Sequence, residues 1–182
     1  MLKIDHFLFD YDKALAHAKQ SEFIDWTGQD GQVYKRICMT EVPGLATAIE
    51  SVMGPVTIHG MGYRLNFEGE LPNAAIHSDV GWGTHALVLY LASGTSGTAF
   101  WKHKKTGTER LPAGNQELLE KIKDDWDHQE RWEIVDFAGM VPNRAIIYES
   151  ELYHSRYPFE GFGKTIEDGR LIAVAFFTPK EN

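Results

Sequence analysis

Three short stretches carry side chains that could act together on a metal and an anion. The first is His77-Ser78-Asp79. On a strand, residues i and i+2 face the same way, so this imidazole and carboxylate would project side by side. Alone, H-x-D also describes an ordinary histidine–aspartate hydrogen bond at a strand end. The second is His154, just beyond the strand-like run Arg144-Ala145-Ile146-Ile147-Tyr148. Two histidines and one carboxylate on adjacent strands make a facial triad. It fills one face of an octahedron and leaves three positions open, as in non-haem Fe(II) oxygenases. A structural zinc site would instead be closed by four ligands, commonly including cysteine, and Cys38 is the only cysteine. The third stretch begins at Arg170, which heads the apolar run Leu171–Phe177. A guanidinium entering a core needs an anion, because unpaired burial is costly. That anion is either a protein carboxylate or a ligand carboxylate held bidentately.

Strands must position these groups. The segments VYKRICMTEV, VTIHGMGYRLNF, AAIHSDV, THALVLYLA, TAFWKHK, WEIVDFAGM, RAIIYES and RLIAVAFFT are short and rich in β-branched and aromatic residues. Gly, Asn, Asp and Pro punctuate them, as expected for strands. So many short strands predict a mainly β sandwich, barrel or jelly roll with flanking helices. ALVLYL and LIAVAFF are almost continuously apolar and should be central strands covered on both faces. Helical spacing of Ala14, Leu15, Ala18 and Phe23 predicts a helix over 12–23, with Asp12 as its cap. A short helix is expected from Leu45 to Val52, ended by Gly54-Pro55. A third is expected within 115–132, with Asn115 as N-cap and Leu118, Leu119, Ile122 and Trp126 as its apolar stripe. The helices should buttress one sheet.

The 182 residues fit about one domain of ordinary size, long enough to bury a core without disulfides. Residues 1–55 read as an N-terminal buttress and 56–182 as the β core with a helical insert. The formal net charge of −8 disfavours nucleic-acid partners. No run approaches the roughly 18 apolar residues of a membrane span. The N-terminus MLKIDHFLFDYDK has acids where a signal peptide is basic and then apolar, so the chain reads as cytoplasmic.

Taken in order, these motifs resemble the Fe(II)/2-oxoglutarate-dependent dioxygenases, and within them the prolyl-hydroxylase-like branch. IDHFLFDYDKALAHAKQSEF is similar to that branch's N-terminal strand and helix. IHSD matches H-x-D, and ALVLYLASGTSGTAFW is similar to a strand, loop and G-x-T-x-F segment. NRAIIYESELYHSRYP resembles the region of the distal histidine, and GRLIAVAFF the strand with the co-substrate arginine. The resemblance implies a double-stranded β-helix, the jelly roll shared with cupins. It implies that His77, Asp79 and His154 hold Fe(II), and that 2-oxoglutarate chelates the metal and is oxidised by O2 to succinate and CO2. The usual outcome is hydroxylation of an amino-acid or peptide side chain or a small metabolite. Arg170 would pair with the 5-carboxylate. Its spacing from His154 is longer than usual, and Lys164, in the insert FEGFGKTIED, is a rival.

Arginine in this family is often followed two residues later by serine, and here that position is Ile172. A further hydrogen bond to the co-substrate would then come from Tyr63 or Asn66, on opposite faces of one strand. Arg64 could bind an anionic substrate. Trp82, between two glycines beside Asp79, could line the substrate pocket, as could Trp101. His85 could orient a ligand or simply pack. Two other readings are a cupin-like metal enzyme that does not use 2-oxoglutarate and a non-enzymatic jelly-roll binding module. Oligomeric state has no signal in the sequence.

Overall fold

In the computed structural model, residues 1–28, 31, 33–70 and 75–181 are described. The described residues build ten strands. They are β1 (Leu2–Ile4), β2 (Ile24–Thr27), β3 (Val33–Met39), β4 (Val56–Asn66), β5 (His85–Tyr90), β6 (Gly97–His103), β7 (Trp132–Gly139), β8 (Ala145–Glu149), β9 (His154–Tyr157) and β10 (Arg170–Pro179). One seven-stranded sheet has the order β1-β8-β5-β10-β4-β3-β2, and a three-stranded sheet has the order β7-β6-β9. All recorded pairings are antiparallel. The two sheets face each other as a jelly roll. β5 and β10, the most apolar strands, lie side by side in the middle of the large sheet.

Strand alternation sorts side chains into three cores. On the outer face of the large sheet, Tyr63, Leu65, Leu87, Leu89, Leu171, Ala173, Ala175 and Phe177 pack under Ala14, Ala18, Leu45 and Ile49. The latter four come from helices α1 (Tyr11–Gln20) and α2 (Leu45–Met53). Between the sheets lie Ala86, Val88, Tyr90, Phe100, Ala138, Met140, Ile146, Tyr148 and Ile172. Behind the small sheet, Ile76, Trp101, Leu111, Trp132 and Tyr153 pack with Ile122 of α3 (Gln116–Ile122). The period of two in each strand decides which layer a side chain enters.

Several expectations are corrected. The first helix is capped by Asp10, whose carboxylate accepts the Lys13 N–H, so it starts two residues earlier than Asp12 implies. Asn115 does cap α3 by accepting from Leu118 N–H, but the helix ends at Ile122, and a 3-10 turn at Gln129–Arg131 follows. The helices do not all buttress one sheet: α3 packs behind the small one. Of AAIHSDV, Ala74 lies outside the described residues, and 75–80 do not form a strand; among them only His77 forms a bridge, to His154. Apart from these corrections, the N-terminal helical and strand segment before residue 56 supplies β1, β2 and β3 to the large sheet.

The sheets are tied across the interior by Tyr90. Its hydroxyl donates to the Ala138 carbonyl at 3.0 Å and is hydrogen-bonded to Thr98 Oγ1 at 2.8 Å. Both partners belong to the small sheet. Tyr90→Phe leaves the ring volume and strips a fully buried site of its donor. It should lower stability by about 1–2 kcal/mol, read as a lower urea midpoint with an unchanged slope.

Candidate metal centre

Between the sheets is a cavity of about 110 Å³. His77, Asp79 and His154 line one part of it, and Arg64, Asn66, Arg156 and Arg170 another. The ligand atoms of His77, Asp79 and His154 all lie within 4.8 Å of one another. His154 Nε2 is 3.2 Å from Asp79 Oδ2, and His77 Nε2 is 3.8 Å from Asp79 Oδ1. Cis ligand atoms about 2.1 Å from one metal would stand roughly 3 Å apart, so small side-chain adjustments close the set around an ion.

Local backbone pairing brings the three together. His77 N–H donates to the His154 carbonyl at 3.0 Å, and His154 N–H returns to the His77 carbonyl at 2.8 Å. Asp79 N–H donates to Ser150 O at 2.8 Å. A full strand is not needed: one two-way bridge and one further bond fix H-x-D beside the start of β9. His154 Nδ1 is 2.9 Å from the Leu152 carbonyl. A proton on Nδ1 satisfies that carbonyl and leaves the Nε2 lone pair facing the cavity, as a metal ligand requires. The donor set, two imidazoles and one carboxylate, fits a divalent transition metal with open positions.

Electrostatics couple Asp79 and His154 as an ion pair, so a metal would displace the proton from His154 Nε2 as it binds. Burial opposes ionisation of Asp79, but the neighbouring His154 charge, its hydrogen bond and His77 outweigh it and hold the carboxyl below its usual range. Burial also opposes charging of His154, and Asp79 overrides it, raising His154. His77 goes the other way, lowered by burial and by the His154 charge. Tyr148 is pushed well up by burial and by the Asp79 charge, so its hydroxyl keeps its proton. That hydroxyl donates to Asp79 Oδ2 at 3.4 Å.

Arg170 is buried, and its Nε donates to Ser96 Oγ at 3.2 Å. Asn66 is its direct partner on β4 and also lines the cavity. Arg64 shares that inward face. Tyr63 does not: its side chain lies on the helix side of the sheet, hydrogen-bonded to His17 Nδ1 at 3.0 Å and to Ala14 O at 3.2 Å. It is therefore excluded from the cavity by strand alternation. Lys164 is also outside, its side chain 74% exposed and paired with Glu68 at 2.9 Å. The insert around it is folded back by Asp168, whose Oδ1 accepts from Lys164 N–H, Thr165 N–H and the Thr165 hydroxyl.

Trp82 sits at the rim. It is 47% exposed, its ring 5.6 Å from that of Phe176, which lines the cavity, and its N–H donates to the Asp79 carbonyl. Gly81 and Gly83 have φ of 103° and 120°, and a Cβ at Gly83 would collide with His59 and the Phe177 carbonyl. His85 does not line the cavity; it stacks on Phe177 at 5.6 Å. Trp101 is buried behind the small sheet and donates from Nε1 to Ser155 Oγ. The site residue that sequence reasoning missed is Arg156. It stands two positions after His154 on β9, so the period-of-two rule that links His77 to Asp79 would have found it.

This fold is the double-stranded β-helix. Over residues 77–177, more than half of its length, the chain matches DUF6445, a family of unknown function, and it belongs to that family. Among curated proteins, none matches the sequence. Solved structures do share the fold. AviO1 from Streptomyces viridochromogenes Tue57 is similar with a TM-score of 0.51 and 13% identity, over 93% of this chain and 84% of that one. SnoK, described as a non-heme alpha ketoglutarate dependent carbocyclase from nogalamycin biosynthesis, is similar with a TM-score of 0.55 and 10% identity, over 97% and 79%. No described helix is long and apolar enough to cross a membrane.

Because Tyr148 supports the carboxylate ligand, Tyr148→Phe should weaken divalent-metal binding by about ten- to a hundredfold while leaving the fold intact. Competition of Mn(II) or Co(II) with a chromogenic chelator measures this directly.

Proposed function

We propose that the protein is a non-haem Fe(II)- and 2-oxoglutarate-dependent oxygenase. The observation that carries this reading is one cavity holding both the His77–Asp79–His154 set and the buried, carboxylate-free Arg170. A metal-only enzyme of the cupin kind has no need of a guanidinium buried at the far side of its metal pocket. A binding module has no need of the converging triad. The description of SnoK as alpha ketoglutarate dependent, on a shared fold, supports the same direction. The motif order similar to prolyl-hydroxylase-like proteins belongs to this proposal as well.

His77, Asp79 and His154 would hold Fe(II), with 2-oxoglutarate and O2 as co-substrates. When bound, iron and 2-oxoglutarate supply the oxidising equivalents, with succinate and CO2 as products. The chain's own groups do the rest. Asp79, kept ionised, offsets the metal's charge. The Leu152 carbonyl holds the His154 ring in its ligating tautomer. Arg170 receives the 5-carboxylate, oriented by Ser96 and flanked by Asn66. Lys164 is set aside as its rival because it faces solvent on Glu68. Ile172, Val174 and Phe176 give the cavity an apolar wall that excludes water, and Trp82 at the rim is placed to meet the substrate. A small metabolite or an amino-acid side chain fits a cavity of this size better than a bulky polymer.

Two measurements test the reading. His154→Ala should abolish tight Fe(II) binding and 2-oxoglutarate turnover, and retained wild-type turnover would sink the triad. Arg170→Met should raise the 2-oxoglutarate concentration needed for half-maximal succinate release by roughly a hundredfold or more. Lys164→Met should leave it unchanged; the reverse pattern would overturn the assignment of Arg170.

A further inference from the structure

We propose that Arg64 and Arg156 form a second anion subsite in this cavity, which holds the carboxylate of a small acidic substrate. The inference rests on the oxygenase reading in taking Arg170 as the anchor of 2-oxoglutarate. Three guanidinium groups line one small cavity, and among the described residues none of them is ion-paired to a carboxylate. Arg156 donates from Nε to the Phe159 carbonyl at 2.6 Å and from its terminal nitrogen to the Glu70 carbonyl at 2.7 Å. Those acceptors are neutral, so they fix the side chain without cancelling its charge. Arg64 is less well served. Its Nε is buried with no hydrogen-bond partner, and its guanidinium lies 5.9 Å from the centre of the Tyr34 ring.

The three cations also act on one another. Burial, then the charges of Arg170 and Arg64, lower Arg156. Burial lowers Arg170, with Arg64 adding to it against the opposing pull of Tyr90. Arginine does not lose its proton under such pressure in proteins, so the repulsion stays in the folded state until an anion relieves it. Once the metal is bound, Asp79 is taken up as its ligand. One carboxylate of 2-oxoglutarate goes to the metal and the other to Arg170. Arg64 and Arg156 are then left with no directly paired carboxylate among the described residues; exposed Glu160 acts on Arg156 without an ion pair.

Their placement suits a substrate. Arg64 faces Ile172 across β4 and β10, two positions from the Asn66–Arg170 pair. It feels the charge of Asp79, and His77 feels its charge, so it is within electrostatic reach of the triad in the cavity that they share. Arg156 approaches from the opposite sheet, on the same strand face as His154. An acid held by this pair would present its carbon chain beside the metal centre. The planar fork of guanidinium matches a carboxylate in particular.

The test uses the Mn(II)-loaded protein saturated with 2-oxoglutarate. The probes are carboxyl-13C acetate and, as its neutral isostere, carbonyl-13C acetamide. Paramagnetic relaxation of the 13C signal reports both saturable binding and distance from the metal. Acetate should bind saturably within the cavity, with acetamide at least tenfold weaker. Arg64→Gln and Arg156→Gln should each weaken acetate binding at least tenfold. Arg64→Gln should also raise the melting temperature of the ligand-free protein, since it removes an unpaired buried charge; this confirms that the variant is folded. Acetate binding that is unchanged in both variants, or that vanishes when 2-oxoglutarate saturates, overturns the second subsite. Arg64-dependent binding of phosphate tighter than that of acetate overturns the carboxylate assignment. If 2-oxoglutarate fails to bind while acetate binds in an Arg64-dependent manner, the oxygenase reading falls and the anion subsite stands.

Discussion

Positive charge buried between the two sheets is the constraint that organises this protein. Arg64, Arg156 and Arg170 all reach the cavity, and Asp79 is the one carboxylate among its described lining residues. Desolvating cations without partners is among the costliest arrangements a fold can hold. Ser96 and the carbonyls of Phe159 and Glu70 accept hydrogen bonds from Arg170 and Arg156 without neutralising them. The cavity is thus locally cationic in a chain whose net charge is −8, and the proposed anions would complete it.

The same feature separates the site from packing. The outer cores, under α1 and α2 and behind the small sheet, are built from aliphatic and aromatic side chains and carry the stability. The middle layer is apolar on one side, through Ala86, Val88, Phe100 and Ile146, and polar on the other. Arg64 and Arg170 stand on β4 and β10, inner strands bonded on both sides, while His154 and Arg156 stand on β9 and His77 is held to it by a two-way bridge. Trp82 instead stands in a turn flanked by Gly81 and Gly83, half exposed and beside Phe176.

Much of this was legible in the sequence because strands obey a period of two. H-x-D declared one shared face; Arg64 and Asn66 declared another; ALVLYL and LIAVAFF declared the centre of the large sheet. What the sequence did not reveal depends on contacts far apart along the chain. The choice between Tyr63 and Asn66 turned on which face of β4 the helices cover. Lys164 faces solvent while Arg170 lines the cavity, and the turn that Asp168 closes around Lys164 and Thr165 is formed by contacts the pattern does not mark. His77 needs no strand of its own because the returning β9 supplies the bridge, and local propensity carries no trace of that pairing. Arg156 was overlooked although its spacing from His154 obeys the same period, because no motif marks it.

The most direct measurement of the central claim is an anaerobic titration of the purified metal-free protein with Fe(II) and then 2-oxoglutarate, followed in the visible range and completed by admitting air. The account predicts a metal-to-ligand charge-transfer band that saturates at one equivalent, followed by slow succinate formation even without a second substrate. Tight iron binding with no band and no succinate would contradict it and leave a metal enzyme of another kind; no iron binding would leave a binding module.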